Sequence, residues 1–529
     1  MKKTILPLFT GALLSSSLFA TDFVVSTPNS TVGLPTGDLG DLNIYYTGAD
    51  KSTSSSETST RARIGSTNIM AAPYAMNSLT LKAPGLSIDG ATSTTPGYWN
   101  LLGNFDIDIA SSEGVATAIK NESTTRISYQ LGTINIKNSQ EGGTALIDLG
   151  ASTMTLSGGA NDSQTPSLNI YVDTEIKTND PALTSNSKSL YLGVASSLYV
   201  VDSKLTLNCR STIGGNAEYE AYVNVDSTST LLTKGKVDLK NYSTVVVDGL
   251  WEMNTGGAEL DSGAYVSVKK LTQGGGNTIK AFGGTFEVGS ATTFVQLEMK
   301  NGGVINQTAG DTTKFTRHVT VSDGGTFSTK GVLYLEAGST DATSAKWANI
   351  TINDGANFYV DGVSSSGTAV ILKNGSLILN KKNAITTSDG KAVQMVSADS
   401  GTNINIMVNA SQEFTGLMAN KSTMKYYLAD DASVILASDF SNRNDGIHAF
   451  YDFDENRIFV RNWESLAEEK INSMFEAYQN VDGEYVKVDT LYIHNGWLSA
   501  FSTAVPEPAE WAMILGALAL GLAVYRKRK

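Results

Sequence analysis

One cysteine and three histidines are all that 529 residues hold of two side chains often used to bind metals or attack substrates. Cys209 therefore has no partner for an intramolecular disulfide, and stability must come from packing and hydrogen bonds. In Lys204-Leu205-Thr206-Leu207-Asn208-Cys209-Arg210 the alternation sets Cys209 on the face of Leu205 and Leu207, as a small buried hydrophobe. Pairing between chains or a reactive thiol are the alternatives that an odd cysteine leaves open. His318, His448 and His494 lie far apart in the chain. Neither His-Glu-x-x-His nor Cys-x-x-Cys occurs, so no zinc site is visible. A Gly-x-Ser-x-Gly nucleophile elbow is missing as well. Gln273-Gly274-Gly275-Gly276 lacks the Lys-Ser or Lys-Thr of a phosphate loop and reads as a turn. Asp452-Phe453-Asp454-Glu455-Asn456 starts like a calcium loop, but Arg457 stands where that loop needs glycine, so a solvated hairpin tip is expected. The reading is of no catalytic residue, no cofactor and no metal.

Cations are scarce too: 39 Lys and Arg stand against 52 Asp and Glu, a formal net charge of -13. Such a chain repels phosphate backbones, and no basic patch interleaved with aromatics offsets this, which excludes nucleic-acid binding.

Helical periodicity is nearly absent, and what replaces it is a repeat. From about 99 to 440 short alternating strands such as Phe105-Asp106-Ile107-Asp108-Ile109 and Thr133-Ile134-Asn135-Ile136-Lys137 recur between Gly, Asn, Asp and Ser. A turn followed by an apolar strand begins at Asn241, Asp261, Ala281, Asn301, Asp323, Asp354 and Asn374, in steps of 20, 20, 20, 22, 31 and 20. A period near 20 with one insertion is what stacked coils produce. The expected fold is all-β, an elongated right-handed parallel β-helix; an antiparallel sandwich is the competing arrangement.

On either side the grammar differs. Residues 21–98, with the run Lys51-Ser52-Thr53-Ser54-Ser55-Ser56-Glu57-Thr58-Ser59-Thr60, read as a Ser/Thr-rich, loosely ordered lead-in with a few strands. In 441–503, Phe450-Tyr451-Asp452-Phe453 and Arg457-Ile458-Phe459-Val460 look like a hairpin. Leu466, Ala467, Ile471, Met474, Phe475 and Tyr478 would share one face of a helix. This segment is placed to cap the stack, or to form a small binding module.

Both ends carry export signals. Lys2 and Lys3 precede an apolar run over 5–14 and a small residue, Ala20, which makes 1–20 a secretory signal peptide. At 504–529, Pro506-Glu507-Pro508 precedes an apolar block, 511–525, and then Arg526-Lys527-Arg528-Lys529. Fifteen helical residues reach about 22 Å, short of a hydrocarbon core of about 30 Å. They cross only if the bilayer thins and the terminal cations snorkel. These residues closely resemble the PEP-CTERM sorting signal of Gram-negative bacteria. The resemblance implies recognition by an exosortase-type enzyme, passage through the inner membrane as a transient intermediate, cleavage near Pro506, Glu507 and Pro508, and delivery to the cell surface or extracellular matrix. A plain C-terminal membrane anchor is the alternative. Removing both signals takes away Lys2, Lys3, Glu510 and the four terminal cations, leaving a net charge of -18.

The body resembles β-helical adhesins and autotransporter passengers in texture. The expected function is an exported structural or adhesive protein, with exopolysaccharide or other surface proteins as partners. A secreted β-helical polysaccharide lyase or glycoside hydrolase is the alternative, because two carboxylates from distant coils can meet in space.

Overall fold

In the computed structural model the described residues are 20–500 except 26–30, 36, 47–60, 67–72, 83–86, 89–90, 93–97, 124–125, 159–164, 180–189, 291–292, 345, 399–402 and 430–432. Residues 1–19 of the signal peptide, the run at 51–60 and the sorting residues Pro506, Glu507, Pro508, Arg526, Lys527, Arg528 and Lys529 lie outside them. Among the described residues no helix is long and apolar enough to cross a membrane. The chain divides into two compact units: Met1–Leu333 with Asn353–Gly362, and Tyr334–Ile352 with Val363–Lys529.

The first unit is an all-β parallel β-helix in which each coil contributes strands to three faces. One coil runs Ala221–Val225, Thr230–Thr233 and Val237–Leu239. Val223 pairs in register with Val245, Leu231 with Trp251, and Val237 with Ala258 of the next coil. Alternation of side chains across a strand explains why the coil folds this way. In Ala221–Val225 the first, third and fifth residues are buried and Tyr222 and Asn224 face out. A coil alone would leave its apolar row and its backbone groups bare, and its neighbours cover both.

The sequence repeat maps onto one face. Val245, Val266, Phe286, Ile305, Phe327 and Phe358 are successive register partners, so each step of the repeat is one coil, and the insertion falls between Phe327 and Phe358. Left-handed corners lead into these strands, at Asn301-Gly302 (φ 54° and 76°) and Asp323-Gly324 (φ 47° and 76°) among others. That conformation suits Asn, Asp and Gly. The seventh repeat departs from the column: Leu377, after Asn374-Gly375, pairs with Ile350 and Ile406 within the second unit. The last step of the repeat is therefore not a full turn of the β-helix, although its spacing matches the first three.

The stack starts well before residue 99. Phe23 pairs with Ile44 and Ile44 with Leu81, Tyr74–Met76 pairs with Phe105–Asp108, and Arg61–Gly65 with Tyr98–Leu102, all in parallel. Composition points to a loose lead-in here because the Ser/Thr-rich run separates short strands, stretching the step from Leu42 to Leu79.

The second unit stacks in the same way and then closes. Ile404–Val408, Thr423–Leu428, Ile447–Tyr451 and Phe475–Val481 form one parallel column. Gln412–Phe414, Ile435–Ala437 and Ile458–Val460 form another. The expected hairpin at 450–460 is therefore a corner: its two strands pair with successive strands of the preceding coil, on different faces, and not with each other, and Asp452 and Asn456 turn it with φ of 56° and 60°. The expected helix is also shorter, Glu468–Met474, burying Ile471 and Met474. Phe475 pairs with His448 and Tyr478 with Tyr451, so both lie on a strand where the periodicity had put them on a helix. Local preference yields here to an available parallel edge. Beyond this the pairing turns antiparallel, with Phe475–Val481 against Glu484–Lys487, and Leu491–His494 against Trp497–Ala500. These strands form the small C-terminal cap.

Candidate interaction surface

With alternate positions of each strand committed to the core, whatever acts on a partner must come from the outward rows. In a parallel stack these rows are columns with one residue per coil, spaced by the strand separation of roughly 4.8 Å. The first unit carries a polar column on the face of Asn135. The Asn135 side-chain amide donates to Asp106 at 2.6 Å, and Asn169 donates to Asn135 at 2.9 Å. Ser167 donates to Thr133 beside them at 3.1 Å. Further along, the same face turns aromatic, with Tyr199 in the column of Asn169 and Tyr222 and Tyr265 in the column beside it. The rings of Tyr199 and Tyr222 lie 6.1 Å apart, Asn224 donates to the Tyr222 hydroxyl at 3.2 Å, and Tyr265 donates to Glu287 at 2.7 Å.

A third face holds an ion-pair ladder. Arg210 meets Asp238 at 2.6 Å, and Lys236 bridges Asp238 at 2.8 Å and Glu259 at 2.7 Å. Lys240 meets Asp261 at 2.8 Å. Burial opposes the charge on Asp238, yet hydrogen bonds from Lys236 and Arg210 hold its carboxyl below the usual carboxylate range. Since both partners stay in place, this network is a structural clamp between coils, with its charges satisfied internally.

In the second unit the outward column of Tyr427, Tyr451 and Tyr478 stacks ring on ring. Centroids are 4.7 and 4.6 Å apart and planes 17° and 6° from parallel. Tyr485 meets Tyr451 edge-on at 5.0 Å and donates to Asp452 at 2.9 Å. Tyr478 donates to Glu476 at 2.8 Å, and Lys487 pairs with Glu476 at 2.6 Å. Burial, then the Glu476 carboxylate, raises the Tyr478 phenol. The register carries this column: Tyr427 pairs with Tyr451 and Tyr451 with Tyr478, each next to an inward residue, Tyr426, Phe450 or Ala477. A tyrosine returning once per coil beside a buried residue is the signal that sequence reasoning passed over.

The nucleophiles and histidines singled out by rarity do not converge. Cys209 is fully buried beside Leu205 and Leu207, with its sulfur 3.9 Å from the Ser211 hydroxyl, and burial pushes its thiol up to about 12. Native protein is accordingly expected to resist a thiol-specific disulfide reagent at pH 8 over a period that labels the unfolded chain completely; equal labelling of both would contradict this burial. His318 is half-buried in the first unit, His448 is fully buried in the second, and His494 is exposed on the cap. Among the described residues no group of three His, Cys, Asp or Glu side chains is placed to hold a metal ion. No protein-family model matches the chain, and no curated protein or solved structure matches it.

Proposed function

We propose that this chain is an exported structural or adhesive protein, delivered to the cell surface or extracellular matrix after an exosortase-type enzyme recognises its tail. The sorting half of the reading rests on Pro506-Glu507-Pro508, the apolar block at 511–525 and Arg526-Lys527-Arg528-Lys529, together with the leader at the other end. The binding half rests on one observation: the outward columns repeat like groups in register, Asn135 on Asn169, Tyr427 on Tyr451 on Tyr478. A periodic column suits a partner that also repeats, such as an exopolysaccharide or an array of surface proteins. Contacts too weak to hold singly then add along the stack. With a net charge of -18 once both signals are removed, a neutral or cationic polymer is favoured over an acidic one.

Mass spectrometry of protein recovered from its native cells tests the sorting half. The expected product starts at Thr21 and ends near Pro508, and deleting 511–529 is expected to strip most of the protein from the surface fraction. Surface material that keeps Lys529, or a deletion variant with unchanged location and size, contradicts the reading.

A further inference from the structure

We propose that the outward tyrosine column is a modification site at which Tyr451 and Tyr478 become joined by an ortho–ortho carbon bond when a haem peroxidase with hydrogen peroxide acts on the protein. This stands on the ring geometry and is independent of the sorting and binding readings. Each phenol gives up one electron and one proton, and the two tyrosyl radicals couple through ring carbons. The two ring hydrogens then return to the oxygens, restoring both phenols. The net loss of two hydrogen atoms reduces one hydrogen peroxide to two waters.

Three features place the reaction here. The first is alignment. Tyr451 and Tyr478 are register partners on adjacent parallel strands, with centroids 4.6 Å apart and planes 6° from parallel, so the two rings lie stacked side by side. The second is a base at hand. The Tyr478 hydroxyl already donates to the Glu476 carboxylate at 2.8 Å, which can take the proton as the electron leaves. Lys487, 2.6 Å from Glu476, holds that carboxylate in place. The third is access: both rings are half-buried on the outer surface, open to an oxidant from solvent. Other tyrosine pairs among the described residues fall short on one count or another. Tyr427 and Tyr451 stack at 4.7 Å but at 17°, and the carboxylate that accepts from a hydroxyl of this column at 2.8 Å sits at Tyr478. Tyr199 and Tyr222 are 6.1 Å apart and tilted by 56°. Tyr171 and Tyr242 are more exposed, at 47% and 42%, but among the described residues neither stacks on another ring.

The bond would tie the last parallel strand of this column, Phe475–Val481, to Ile447–Tyr451, fastening the point where the stack passes into the cap. A covalent tie of this kind restricts the unfolded chain and so resists release of the cap.

The test treats dilute full-length protein with peroxidase and peroxide, reads dityrosine fluorescence and maps the joined peptides. The expected product is a single intrachain link between the peptides of Tyr451 and Tyr478, with a higher urea midpoint for cap release. Tyr451→Phe keeps the ring and its stacking, so it is expected to fold and to lose the link. Tyr485→Phe is expected to retain it, and Glu476→Gln to form it several-fold more slowly. Links that follow exposure, at Tyr171 or Tyr242, links only between chains, or ring oxidation without coupling would each overturn the proposal.

Discussion

Replacing Phe327 by alanine is expected to destabilise the first unit by about 3–5 kcal/mol, seen as a lower urea midpoint. Phe327 is fully buried, and its ring has Phe358 at 4.8 Å, Phe315 at 5.2 Å and Phe294 at 6.5 Å. Truncation removes the centre of that cluster. The strands on either side are pinned by their hydrogen-bond ladders to Ile305 below and Phe358 above, so the space cannot collapse and the loss includes a cavity. Phe327→Leu, which refills most of the volume, is expected to cost less than half as much. The damage should also be local, since a coil contacts mainly its neighbours. Amide exchange in Val304–Gln307 and Asn357–Val360 is expected to accelerate while Phe105–Asp108 stays protected. A cost below about 1 kcal/mol, in the range of an ordinary surface change, would contradict this picture of the core.

That column is also where sequence and structure agree best, for a physical reason. Corners need a left-handed residue and strands need alternation, so Asn301-Gly302 before Val304–Gln307 and Asp323-Gly324 before Thr326–Thr329 write the coil boundary directly into the chain. The reading fails where the corner carries an insertion. Leu42 and Leu79 are adjacent in the stack although the whole Ser/Thr-rich run lies between them in the chain, and a connection of that length has no period to find. It fails again at Asn374, where corner chemistry is right but the corner belongs to a different face. A turn signature reports that the chain bends and carries no label for which of three bends it is. The outward surface is harder still. Tyr427, Tyr451 and Tyr478 become a column only once the length of each coil is known, because coil length decides which outward residues meet. Pairing of Phe475 with His448 likewise depends on an edge supplied by a strand further back in the chain, which helical periodicity in 465–475 cannot reveal.

His448 should make the second unit lose about 3 kcal/mol of stability between pH 7 and pH 4, the linkage expected for a group that titrates at about 4 when folded and about 6.5 when unfolded. Burial pushes this imidazole down, although its hydrogen bond to the Ser441 carbonyl favours the charged form. The ring is fully buried among Tyr426, Phe440 and Phe475. Nε2 lies 2.9 Å from the Ser441 carbonyl oxygen and must donate to it. Nδ1 is then left to accept from the Tyr426 hydroxyl at 3.0 Å. A second proton would have to displace that hydroxyl and charge a ring against which, among the described residues, no carboxylate is placed. The sign follows from proton counting: between pH 6.5 and about 4 the unfolded chain binds the extra proton and the folded chain does not, so stability falls as pH falls through that window. The depressed carboxylates Asp238 and Glu476 act in a lower range, because their stabilising charge is lost only as pH drops below the unfolded values near 4. A His448→Phe variant separates the two effects. It leaves the Tyr426 hydroxyl only the weak Met424 sulfur acceptor at 3.7 Å and starts out less stable, but its stability should change little from pH 7 to 5, where the native protein already declines. Matching pH slopes for the two proteins over that interval would mean that His448 is not the group being protonated.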